Sequence, residues 1–132
     1  LKKEDLINFY QNTITEFGLE SIEDSMGYVL SGGQRRKVEI ARCLASKPKI
    51  ILLDEPFAGI DPLAIQDIKN VLKSLSDKGI CILITDHNLR ETIDICNYSI
   101  VIKDGSILDK GEKDYLINSS LIKEEYFGTV FD

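Results

Sequence analysis

With 132 residues, the chain has room for one domain with a modest core, or for a portion of a larger one. Its 43% hydrophobic and 29% charged residues show no sign of disorder, and a net charge of −6 excludes a general affinity for nucleic acid or anionic lipid. No apolar run approaches the roughly 20 residues needed to cross a bilayer, and the first residues are too polar and amphipathic for a signal peptide.

Leu1 in place of Met reads as a cut or processed start. Leu6, Ile7, Phe9, Tyr10, Ile14 and Phe17 recur near a helical period, so a helix is predicted over residues 3–17, with Gly18 as its stop. Residues 20–28 read as a connector. Ser31 is a candidate cap for a second helix through Val38, Ala41, Leu44 and Ala45, ending before Pro48. The continuous apolar run 50–53 reads as a strand covered on both faces.

Asp61 and Pro62 supply an N-cap and a first-turn proline for a helix to about residue 78. A second buried strand is predicted over 80–85, which makes a βαβ crossover with both strands parallel. Another helix is expected over 88–96. Asp104-Gly105 between apolar runs is a hairpin signal, and short helices are expected around 114–117 and 121–126. The predicted architecture is α/β, a parallel core followed by an antiparallel hairpin. Cys43, Cys81 and Cys96 lack metal or redox spacing and are expected to be reduced, buried and inert.

Two segments carry chemistry. Leu30-Ser31-Gly32-Gly33-Gln34 opens a helix and can offer a hydroxyl and backbone N–H groups to a phosphate. Ile50-Ile51-Leu52-Leu53-Asp54-Glu55-Pro56 ends a strand in adjacent carboxylates. Ligands of open α/β sheets sit beyond the carboxyl ends of the strands, so Asp54 and Glu55 are expected at one edge with Asp86 and His87. A hydrated Mg²⁺ beside substrate phosphates needs only one such aspartate, and the neighbouring glutamate can orient or deprotonate an attacking water. A neutral imidazole at His87, the only histidine, is placed to hydrogen-bond a γ-phosphate, although a lone histidine is often simply structural.

The adjacent glycines carry a cost as helix openers, about 0.5 to 1 kcal/mol each relative to alanine. Arg35, Arg36 and Lys37 add positive charge at the positive end of the helix dipole. An anion would relieve that; a solvated basic face is the plain alternative. No phosphate-cradling G-x-x-x-x-G-K-[ST] loop occurs in these residues, so they read as half of a nucleotide site.

These residues closely resemble the nucleotide-binding domain of ABC transporters. Leu30-Ser31-Gly32-Gly33-Gln34 is similar to the signature motif, and the strand ending in Asp54 is similar to Walker B, with Glu55 as the catalytic glutamate. Ala58-Gly59-Ile60-Asp61 resembles the D-loop and His87 the switch histidine. Residues 30–42, 53–62 and 85–92, and the ending 126–131, are most similar to ATPases of bacterial lipopolysaccharide export; those of branched-chain amino acid import are near relatives.

The resemblance implies the C-terminal part of a P-loop NTPase domain. Residues 1–46 would be helical-subdomain segment and signature helix, and 47–132 would hold Walker B, D-loop, switch histidine, hairpin and last helices. It implies a head-to-tail homodimer that sandwiches ATP and Mg²⁺. Ser31, Gly32, Gly33 and Gln34 would touch the γ-phosphate of ATP bound by the partner. Asp54 would hold Mg²⁺, Glu55 and His87 would serve catalysis, and Asp61 would couple the two sites. It further implies transmembrane permease subunits as partners, no nucleic acid, and a place on the cytoplasmic face of the inner membrane held through those partners. Without Walker A, these residues alone are expected to be inactive. An ABC-type ATPase outside transport is the competing expectation.

Overall fold

The computed structural model describes residues 3–127. The expected start at Leu1 and residues 128–131 of the matching ending lie outside them. The chain divides into two compact units, residues 1–85 and 86–132.

The first unit opens with α1 (Lys3–Phe17), as the apolar spacing predicts, and Gly18 ends it with φ +58°. Phe17 and Leu19 are buried at this end. The expected plain connector holds two 3₁₀ turns, Glu20–Ile22 and Gly27–Val29. Helix α2 (Gly32–Leu44) buries Gly33, Ile40, Ala41 and Leu44 and packs against α1 on one side and α3 on another.

Strand β1 (Ile50–Asp54) and strand β2 (Cys81–Thr85) pair in parallel, with Ile50 opposite Cys81 and Asp54 opposite Thr85. Between them runs α3 (Pro62–Asp77), the crossover expected from the strand–helix–strand order. Its buried stripe of Ile65, Ile68, Leu72 and Leu75 follows the helical period, with Val71 alongside. The Glu16 carboxylate of α1 accepts from the Ser74 hydroxyl at 3.0 Å and pairs with Lys78, just past the end of α3.

Two sequence expectations fail here. The strands are not covered on both faces: Ile51 is buried, but Ile50, Leu52, Cys81 and Leu83 share an exposed face. Helix α3 packs against β2, and the exposed side of the pair keeps its apolar residues in the open among the described residues. An unbroken apolar run calls for cover on both faces, and the described residues supply it on one. The cysteines are not uniformly buried either: Cys43 and Cys81 are exposed, and only Cys96 is partly covered, where burial raises its thiol pKa.

The second unit begins with α4 (Leu89–Ile95), capped by Asn88, whose side chain accepts from the Glu91 N–H at 3.3 Å. Strands β3 (Ser99–Lys103) and β4 (Ser106–Gly111) form the expected antiparallel hairpin. Asp104 and Gly105 both take positive φ, +49° and +75°, which matches the right-handed twist of the strands they join. Helices α5 (Lys113–Leu116) and α6 (Ser120–Ile122) follow, and the expected helix to Tyr126 continues instead as one π turn, Lys123–Phe127. Ile93, Val101, Leu116 and Ile122 form this unit's core, with Leu89 and Leu108 packed on it.

Candidate functional site

Ser31 caps α2 as expected: its hydroxyl accepts from the Gln34 N–H at 3.2 Å. The Gln34 side chain returns the contact by accepting from the Ser31 N–H at 2.9 Å. This reciprocal capping box satisfies two donors that a helix start otherwise leaves open. The S-x-x-Q spacing carried that signal in the sequence.

The glycines have a structural role that sequence reasoning missed. Gly33 is buried, and a Cβ on it would stand 2.4 Å from the Cβ of Ala64 on α3. Gly32 is exposed, and its Cβ would lie 3.3 Å from the Gly59 carbonyl oxygen. Close packing on the loop and helix that follow β1 therefore demands glycine at position 33, whether or not a phosphate approaches. Gly59 takes φ +66° in that loop. Asp61 closes it, capping α3 by accepting from the Ala64 N–H at 3.0 Å.

At the end of β1, one Asp54 carboxylate oxygen accepts from the Thr85 hydroxyl at 2.6 Å, so the strand pairing itself fixes that side chain. Glu55 takes φ +46°, the left-handed region that a branched or extended side chain seldom occupies. Its N–H donates to the Thr85 carbonyl at 2.6 Å, and its carbonyl accepts from the Ala58 N–H at 3.2 Å. Strain of this kind persists only where the surroundings over-determine it. Pro56 and Phe57, buried immediately after, anchor the turn.

The basic run leaves Arg36 two expected places, beside an anion or on a solvated face. It is partly exposed and reaches across to the turn after β1: Nη1 donates to Glu39 at 2.8 Å and Nη2 to the Glu55 carbonyl at 3.4 Å. The signature turn, the Glu55 turn and the Asp61 cap thus pack together within the first unit. Gly32, Arg35, Arg36, Glu39, Ala58 and Ile60 line a small open cavity there.

No group of three or more His, Cys, Asp or Glu side chains forms a metal nest among the described residues. A single exposed carboxylate steadied by Thr85 fits the Mg²⁺ expectation nonetheless, because that ion takes most of its ligands from water and substrate phosphates.

His87 belongs to the second unit, two residues past the end of β2 in sequence, and its side chain is 72% exposed. Its Nδ1 lies 3.8 Å from Asp86. The Asp86 carboxylate is fully buried and accepts from the Asn88 N–H at 2.8 Å, tightening the turn into α4.

A family model described as ABC transporter matches residues 3–58. The lipopolysaccharide export system ATP-binding protein LptB of Haemophilus influenzae is 48% identical over 118 residues, covering 89% of this chain and 49% of that protein. LptB of Escherichia coli is 45% identical over 130 residues, 98% of this chain and 53% of its own. A crystal structure of an ABC transporter ATP-binding cassette in its ADP conformation aligns with TM-score 0.81 and 32% identity, over 97% of this chain and 52% of that one. The chain belongs to the ABC ATPases. CbiO1 of Clostridium perfringens, described as part of the ABC transporter complex cbiONQ, matches the same fold with TM-score 0.82 and 28% identity, covering 94% and 50%. The chain spans about half the length of the curated relatives it matches. Its parallel βαβ unit and antiparallel hairpin are thus ABC ATPase architecture.

Proposed function

We propose that the complete protein is the ATP-hydrolysing subunit of a transporter that exports lipopolysaccharide. The observation that carries this reading is the packing of the Ser31–Gln34 turn, the left-handed Glu55 turn and the Asp61 cap into one unit. The likeness to LptB over most of the chain supports lipopolysaccharide as the cargo.

In this reading Ser31, Gly32, Gly33 and Gln34 face the γ-phosphate of ATP bound mainly by the partner of a homodimer. The N-terminus of α2 suits an anion there. Asp54 holds Mg²⁺, which draws charge off the phosphates when bound. Glu55 orients the attacking water and accepts its proton. His87 donates to the γ-phosphate and senses its loss, and Asp61 links the two sites across the dimer. Residues 1–46 supply the helical-subdomain segment and signature helix, and 47–132 the Walker B, D-loop and switch elements. The exposed face of Ile50, Leu52 and Leu83 is the surface on which the rest of such a domain, with its Walker A loop, packs. Residues 1–132 do not hydrolyse ATP by themselves.

Transmembrane permease subunits hold the protein at the cytoplasmic face of the inner membrane, and no nucleic acid takes part. Co-purification of the complete protein from its native host tests this. Recovery with membrane subunits that bind lipopolysaccharide supports the reading. Recovery with a branched-chain amino acid permease redirects the cargo, and recovery with repair or translation factors overturns transport.

A further inference from the structure

We propose that Arg36 is a positioning residue for Glu55: its guanidinium holds the carbonyl of the left-handed turn and so fixes where the Glu55 carboxylate points. The proposal rests on the reading of Glu55 as the group that activates water.

Three observations converge on it. Glu55 occupies φ +46°, and its peptide is held on both sides, by Thr85 through the N–H and by Ala58 and Arg36 through the carbonyl. Loss of one of those holds lets the turn relax toward the commoner right-handed basin and swings the side chain with it. The Arg36 fork is itself aimed, because Glu39, three residues on along α2, takes Nη1 at 2.8 Å while Nη2 reaches the Glu55 carbonyl. The Arg36 Nε is buried with no hydrogen-bond partner, an arrangement that a solvated surface arginine avoids. The Arg36 side chain, 28% exposed, is thus held with its Nε covered and its fork against Glu39 and the Glu55 carbonyl. Only a planar guanidinium can span Glu39 and the carbonyl at once; a lysine ammonium is a single point charge. Since α2 carries Arg36 together with the Ser31–Gln34 turn, one helix both closes on the partner's phosphate and sets the catalytic carboxylate of its own chain.

The test uses the complete dimeric protein with Arg36→Ala, Arg36→Lys, Glu55→Gln and the double variant Arg36→Ala/Glu55→Gln, measuring single-turnover and steady-state phosphate release and melting midpoints. Arg36→Ala is expected to lower kcat about tenfold, the scale of a small misplacement of a reacting group, with KM for ATP unchanged. Arg36→Lys should fall between it and wild type, and it decides the matter if the alanine variant folds poorly: a wild-type kcat for Arg36→Lys then overturns the proposal. In the Glu55→Gln background, removing Arg36 should cost nothing further. A wild-type kcat for Arg36→Ala beside an inactive Glu55→Gln overturns this proposal alone, as does an equal fold-loss in both backgrounds. A wild-type rate for Glu55→Gln overturns the reading of Glu55 and this proposal with it.

Discussion

Gly33 of α2 and Ala64 of α3 meet so closely that a methyl group on Gly33 would stand 2.4 Å from the one on Ala64. The contact lies between two capped helix starts, that of Ser31 and that of Asp61. It binds the turn proposed to meet the partner's phosphate to the loop proposed to cross the dimer.

Gly33→Ala should therefore destabilise the complete protein by about 1–3 kcal/mol, the usual cost of overpacking. Ala64→Gly in the same chain should restore much of it by removing the opposing methyl. Denaturant titration of the two single variants and the double variant measures the coupling, and additive losses would show that the two residues do not meet.

The Ser31 and Asp61 caps and the Asp104-Gly105 turn are legible in the sequence because each is decided by one or two local residues. A short oxygen-bearing side chain before a helix finds its N–H groups, and an Asp-Gly pair tolerates positive φ. The contacts that build the site are not legible in that way. Asp54 meets Thr85 across 31 positions, and Arg36 meets the Glu55 carbonyl across 19, so the first depends on how β2 pairs with β1 and the second on how α2 sits beside the turn that follows β1. The βαβ order makes the first pairing foreseeable in outline, since parallel register sets the strand ends side by side. Nothing local marks Arg36, within a basic run, as the residue that reaches the Glu55 carbonyl. The exposed apolar face of β1 and β2 is hidden for a related reason: Ile50 and Leu52 read as core residues by composition alone.

Glu55 stores backbone strain at φ +46°. Glycine adopts that conformation without the steric cost of a Cβ, so Glu55→Gly should be more stable than Glu55→Ala by about 1 kcal/mol. Both lack the carboxylate, so the comparison isolates the backbone. Equal melting midpoints would mean that the turn is unstrained.

The Glu16 carboxylate is held below its ordinary pKa of 4.5, chiefly by its hydrogen bond from Lys78, with Ser74 adding to it against the opposing effect of partial burial. A depressed folded-state pKa gives stability that is present above the unfolded value and is lost as pH falls through the folded one. Lys78 is more than half exposed and Glu16 about a quarter, so solvent screens the pair and its contribution at neutral pH is about 0.5 kcal/mol. Glu16→Gln should lose that margin at pH 7 and match wild type once the solution is acidic enough to protonate Glu16. A stability difference that stays constant across the acid range would contradict the assignment.

Phosphate release by the complete protein carrying Glu55→Gln, with ATP binding followed alongside, tests most directly whether this carboxylate drives the reaction. We expect turnover with Mg²⁺ to fall by about a hundredfold or more while nucleotide binding persists. Turnover at the wild-type rate, with ATP bound as before, would contradict a catalytic role for the carboxylate that follows β1.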